Sequence, residues 1–200
     1  MEDLVPFLED AVKAAEGKLR ENLGRECRIT IHTQMSDELT QVVETIDHEK
    51  FRPELQYTIE ELMARIGNGG FVMFMLTCDG EPTAFFYGYN DESDVSRFFL
   101  DSVATRVEGK GIGSIMVTLA LVYSHDVGYR SVELYTEEED ERGRHLVKFY
   151  EDMGFEVTGR DPEKGVVMRS NLDASKLRYA CLRYIGLERD AQEFSSIHTL

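Results

Sequence analysis

Apolar positions follow two rhythms along this chain, one near 3.6 residues and one of two, and the switches between them predict its elements. Leu4, Phe7, Leu8, Ala11, Val12, Ala15 and Leu19 share one helical face across residues 1–24, and Gly24 offers the stop. Residues 27–32 (CRITIH) alternate apolar with polar and read as a first strand. Ser36 is a helix N-cap before Leu39, Val42, Val43 and Ile46, and a second helix opens at Pro53 and runs to Ile66. The glycines around Asn68 end it. Residues 71–78 (FVMFMLTC) are an unbroken apolar run, the mark of a strand covered on both faces. Asp79-Gly80 turns this strand into a partner over residues 82–89, and residues 95–103 add another.

Beyond them Glu108-Gly109-Lys110-Gly111-Ile112-Gly113 leads into a helix carrying Ile112, Ile115, Met116, Leu119 and Tyr123 on one face. A strand at 131–136 follows, then a helix with Leu146, Phe149, Tyr150 and Met153, then a hairpin of 155–160 with 166–169. Residues 173–187 repeat the helical rhythm, and 188–200 form a polar tail. The order is strand, two helices, three meandering strands, helix, strand, helix, and two strands. It is neither a plain doubly wound sheet nor an all-antiparallel one.

Composition narrows the classes. Two hundred residues with 42% hydrophobic and 30% charged side chains suit one globular domain that needs no disulfide or metal to hold its core. The three cysteines, Cys27, Cys78 and Cys181, are far apart and form no C-x-x-C pair, so buried reduced thiols are expected. Neither a signal peptide nor a membrane span is apparent, which places the expected location in the cytoplasm. Thirty-eight acidic against 22 basic residues give a net charge of −16, which repels a phosphate backbone and disfavours nucleic acid as a partner.

Within this acidic chain the glycine run at 109–113 is locally basic, with Arg106 and Lys110 nearby. Alternating glycines bring backbone N–H groups to the open start of a helix, where the dipole favours an anion. A Walker loop is excluded because Gly111 follows Lys110, and a dinucleotide fingerprint by Met116 and by the closing hairpin.

The stretch Val103-Ala104-Thr105-Arg106-Val107-Glu108-Gly109-Lys110-Gly111-Ile112-Gly113-Ser114 resembles the acetyl-CoA signature of the GNAT superfamily, Arg/Gln-x-x-Gly-x-Gly/Ala after a valine-bearing strand. Phe149-Tyr150-Glu151-Asp152-Met153-Gly154-Phe155 resembles that superfamily's later motif, a helical Tyr followed by Gly-Phe. Glu108 stands at the signature's Arg/Gln position, and Gly143 where the family often has Asn. The resemblance implies an α+β fold: a mixed, mostly antiparallel sheet of about seven strands flanked by helices, over residues 25–171. Extra helices would lie at 1–24 and within 172–200. It also implies N-acetyltransfer from acetyl-CoA, or another acyl-CoA, to a primary amine of a small molecule or protein, with no metal.

On that reading Val103, Arg106, Glu108, Gly109, Lys110, Gly111, Ile112, Gly113 and Ser114 form the cosubstrate site. Tyr150 is the general acid, with core packing as the alternative role for its ring. Asp101 is a candidate base, as is Glu133, against a merely structural role for each. The acids at 137–141 either steer a cationic substrate or stabilise a helix N-terminus. A non-catalytic domain on the same scaffold, sensing acyl-CoA or binding a partner protein, is the competing class. The apolar faces of the terminal helices must be covered by the core, a target protein or a second subunit, and a homodimer is the expectation.

Overall fold

The computed structural model describes residues 6–140 and 142–188. The first five residues of the expected N-terminal helix, Glu141 of the acidic run and positions 189–200 of the expected tail lie outside these. Helix α1 (Pro6–Leu23) precedes β1 (Cys27–His32), α2 (Asp37–Lys50) and α3 (Ile59–Ile66). The meander β2 (Val72–Cys78), β3 (Glu81–Asn90) and β4 (Arg97–Thr105) follows. Then come α4 (Ile112–Val127), β5 (Ser131–Thr136), α5 (Leu146–Asp152), β6 (Glu156–Asp161), β7 (Gly165–Asn171) and α6 (Ala174–Ala180). One seven-stranded sheet runs β1-β2-β3-β4-β5-β7-β6, antiparallel except where β4 meets β5. This is the mixed architecture expected.

Two cores cover its faces. Val72, Phe74 and Leu76 of β2 belong to the core shared with α1 and α4, whereas Met73 and Met75 join Val43, Ile46 and Leu62 of α2 and α3. The unbroken apolar run of β2 follows from that double coverage. Phe7, Leu8, Ala11, Ala15 and Leu19 of α1 are buried in the first core, as are Leu177, Cys181 and Ile185 at the C-terminal end. These apolar positions of the terminal helices are thus covered by the chain's own core, while Tyr179 and Leu182 stay exposed. Asp126 fixes α1 further, accepting the Leu8 N–H at 2.8 Å. All three cysteines are buried free thiols; Cys27 and Cys78 face each other across the β1–β2 ladder.

Two expectations need correction. The helix expected from Pro53 is instead a single 3₁₀ turn, Pro53–Leu55, and α3 starts only at Ile59. Thr58 and Glu61 form a reciprocal capping box that sets the later start, which leaves Tyr57 free to reach the sheet. The acids at 137–140 do not occupy a first helical turn, because α5 begins at Leu146 with no acid there. They lie in the preceding loop, and Glu137, Glu138 and Asp140 pair with Arg52, Arg160 and Arg144.

Candidate active site

The two central strands part. β4 and β5 pair only at Arg97–Phe99 with Ser131–Glu133, although β4 continues to Thr105 and β5 to Thr136. From Leu100 onward β4 therefore has backbone hydrogen-bonding groups without a ladder partner on the β5 side. Open backbone donors and acceptors of this kind must find a ligand or water.

At the end of β4 the chain turns through Gly109 and Gly111, at φ +70° and +74°, a left-handed conformation that side-chain-bearing residues resist. Helix α4 then begins at Ile112 with no side-chain cap, so its first N–H groups are uncommitted. A Cβ on Gly109 would meet nothing within 4 Å. The turn is thus open and rich in donors, and its residues fit a bound polyphosphate. Asn22 of α1 braces it from behind, donating to the Lys110 carbonyl at 3.0 Å. Ile112 is core, Val103 packs on the same core, and Gly113 and Ser114 are half-buried in the first turn. Arg106 faces α2, where it makes a two-pronged ion pair with Glu49 at 2.7 and 2.9 Å. Glu108 gathers cations: Arg142, Arg144 at 3.3 Å and Lys50 at 4.0 Å.

Asp101 occupies a bulge in β4. Its neighbours pair as Tyr87 with Ser102 and Gly88 with Leu100, so the ladder skips it. Tyr57 and Tyr89 donate hydroxyls to its carboxylate at 3.2 and 3.1 Å. Arg65 Nε lies 2.9 Å away as an ion pair without hydrogen-bond alignment, and its guanidinium stacks 3.7 Å over the Tyr57 ring. Burial raises the Asp101 carboxyl, and Arg65 with the two phenols oppose that rise. Burial likewise pushes the Tyr57 phenol to about 12. The buried Tyr87 and Ser102 hydroxyls, paired across the ladder beside Asp101, have no hydrogen-bond partner among the described residues. Such orphans are rare and mark a place for a ligand group or water. Tyr57, Arg65, Tyr87, Tyr89 and Ser102 escaped the sequence reading, because no spacing rule joins them to Asp101.

Below this cluster Asp47 is buried and accepts the Tyr57 N–H at 3.1 Å. Desolvation lifts it to about 6, with Asp101 adding repulsion and the Tyr57 N–H, His48 and Arg65 opposing. The folded value exceeds the unfolded one of about 3.9, so the native state binds the extra proton and stability falls as pH rises from about 4 to 6. Asp47→Asn is therefore expected to stabilise the fold by about 1–3 kcal/mol at pH 7.5 and by almost nothing at pH 4, read from urea midpoints. An equal effect at both pH values contradicts the assignment.

Tyr150 lies in the other layer. Its ring meets Phe149 and Phe155 at 5.0 and 5.6 Å, within the α1–α4 core. Phe149 in turn borders Gly113, which places α5 beside the glycine turn. The ring keeps partial exposure, yet desolvation pushes the phenol to about 12. Tyr150 and Asp101 share no hydrogen bond. Glu133 is engaged by Arg97 at 3.4 Å and by Arg169 at 2.6 Å, a structural arrangement at the point where β4 and β5 still pair. Among the described residues no cluster of His, Cys, Asp and Glu could hold a metal, and no helix is long and apolar enough to cross a membrane.

A cavity of about 470 Å³ opens beside Tyr57, lined by Glu44, His48 and Glu60 among others. A second, of about 350 Å³, lies over Arg106. Neither is lined by residues of the gap between β4 and β5.

The fold has solved counterparts. The PaiA N-acetyltransferase of Thermoplasma acidophilum, in complex with coenzyme A, shares 18% identity over 72% of this chain and 99% of its own, with a TM-score of 0.58. The aminoglycoside 6'-N-acetyltransferase of Enterococcus faecium shares 14% over 72% and 96%, with a TM-score of 0.60. The loading GNATL domain of CurA from Lyngbya majuscula shares 14% over 72% and 98%, with a TM-score of 0.58. At these identities the likeness is one of fold. No curated protein matches by sequence. The family model described as Acetyltransferase (GNAT) family matches residues 33–155, more than half of the chain and the span that holds both the parted strands and the glycine turn. This chain belongs to the GNAT acetyltransferase family.

Proposed function

We propose that this protein transfers an acetyl or related acyl group from acyl-CoA to a primary amine, by direct attack within a ternary complex. The observation that carries the reading is the parting of β4 from β5 with an uncapped, glycine-opened helix start at its mouth. A solved relative in fold binds coenzyme A, and the open turn here suits the same pyrophosphate. The unpartnered β4 backbone beyond Leu100 would hydrogen-bond the pantetheine arm and the thioester carbonyl, acting as an oxyanion hole acts. The orphan hydroxyls of Ser102 and Tyr87 lie at the same bulge and could add donors.

Asp101 is the proposed proton acceptor for the amine. Its raised carboxyl sits behind the Tyr57 hydroxyl, and Tyr57 also lines the cavity on the α2–α3 side, so a proton can reach the carboxylate through that phenol. Tyr150 is the proposed donor toward the leaving sulfur. At about 12 it stays protonated at neutral pH, but it is roughly 10³-fold weaker as an acid than a thiol. Its part is therefore to stabilise the thiolate by a hydrogen bond more than to deliver a full proton.

Calorimetry with acetyl-CoA, followed by mass-spectrometric screening of amines, tests the proposal. Saturable heat and at least one amine gaining an acyl group are expected. Absence of heat with both acetyl-CoA and CoA refutes the cosubstrate assignment. Tight binding without any acylated amine shifts the reading to a scaffold that senses acyl-CoA.

A further inference from the structure

Glu108 departs from the family's Arg/Gln, and a negative charge beside a phosphate-binding turn should repel the ligand. The structure shows what that charge holds instead. Three cations from two different elements converge on it: Lys50 from the end of α2, and Arg142 with Arg144 from the loop between β5 and α5. The β5–α5 loop lies across the parted strands from the turn that bears Glu108. Glu108, at 26% side-chain exposure, is enclosed with Lys50 at 21%, while Arg142 and Arg144 stand out at 67% and 56%. Three positive charges around one carboxylate at an open, donor-rich turn resemble the cage of a bound phosphate with a side chain in the phosphate's place. Asp140 takes a share of Arg144 and orders the Arg142 and Arg144 backbone at 2.9 Å, so the arginines are preset and not merely attracted.

We propose that Glu108 is an internal stand-in for a phosphate: it keeps Lys50, Arg142 and Arg144 at the glycine turn and competes for them with the phosphates of acyl-CoA. The inference rests on the acyl-CoA reading above and adds a specificity-determining residue to it. When the phosphates enter, the cations exchange one anion for a more highly charged one, and the Glu108 carboxylate is left opposing the ligand. The carboxylate thus lowers affinity while keeping the cage formed in its absence. Salt must weaken this effect, since both arginines are largely exposed.

The test is CoA titration calorimetry on the full chain and three variants, at about 50 mM and about 500 mM salt. Glu108→Gln is expected to bind CoA about tenfold more tightly at low salt, with the gain shrinking to about twofold at high salt. Glu108→Asp keeps the charge and should remain within about threefold of the parent. Adding Arg142→Ala and Arg144→Ala to Glu108→Gln should abolish the gain. If the parent binds CoA and Glu108→Gln binds it equally or less tightly, the proposal is overturned while the acyl-CoA reading stands. If the gain survives loss of both arginines, the cage is not its cause and the proposal fails. If neither the parent nor any variant binds CoA, both the proposal and the reading beneath it fall.

Discussion

Gly88→Ala is expected to lower the melting temperature by about 10 °C, a loss of about 3 kcal/mol, although only one methyl group is added. Gly88 lies at the register shift where β3 passes the bulge of β4. A Cβ there would sit well inside 3.0 Å of the Phe99 carbonyl oxygen and the Phe98 ring. Neither neighbour can yield cheaply. The carbonyl belongs to the β3–β4 ladder, and the fully buried Phe98 ring is wedged against Tyr123 and Tyr129 at 5.7 and 5.4 Å. Relief requires β4 to move away from β3, which would undo the bulge that turns Asp101 toward Tyr57 and Tyr89. Activity should therefore fall further than stability alone accounts for, even at temperatures where the variant is folded. Gly17 provides the contrast. It lies within α1, and a Cβ there would meet nothing within 4 Å. Gly17→Ala should stabilise by about 0.5–1 kcal/mol through backbone entropy and helix propensity. Thermal melts of both variants decide the matter; if Gly88→Ala melts within 2 °C of the parent, the close approach at the bulge is not real.

That contrast separates what the sequence discloses from what it hides. The unbroken apolar run of β2 and the period-3.6 patterns of α1 and α4 locate these elements because each meets a core along its length, and burial leaves a regular trace. The glycine turn is legible because its dihedral angles admit few other residues. The Asp101 cluster leaves no such trace. Its members come from the α2–α3 connection, α3, β3 and β4, up to 44 residues apart, and they meet only because a bulge moves one residue out of the ladder. A bulge inserts a residue without changing composition, so alternation alone does not disclose it. Charge runs are the least legible of all. The acids at 137–140 suggest either a steering field or a capped helix, yet Glu137, Glu138 and Asp140 are spent on Arg52, Arg160 and Arg144, and of these pairs only Asp140 with Arg144 has a local spacing. Arg106 likewise suggests a phosphate ligand from its position beside the turn, while its guanidinium is committed to Glu49.

Tyr150→Phe should reduce turnover by about 10²-fold while CoA affinity stays within about threefold, because the hydroxyl is asked to act only as the sulfur leaves. The structure makes this substitution a clean one. The phenol is raised by desolvation alone and has no hydrogen-bond partner among the described residues, so removing its oxygen leaves no polar group stranded. The phenylalanine ring keeps the contacts with Phe149 and Phe155, and the melting temperature should shift by no more than about 2 °C. The pH profile gives a second, independent reading. With its phenol at about 12, Tyr150 remains a donor across the whole working range, so its ionisation cannot cause a fall in kcat below about pH 11. A limb at lower pH must come from another group, and it should persist unchanged in Tyr150→Phe. Were Tyr150 only a packing residue, the variant would match the parent in melting temperature and turnover alike. The same unchanged turnover would leave the departing thiolate to water or to the dipole of α4, and Tyr150 would have no place in the chemistry.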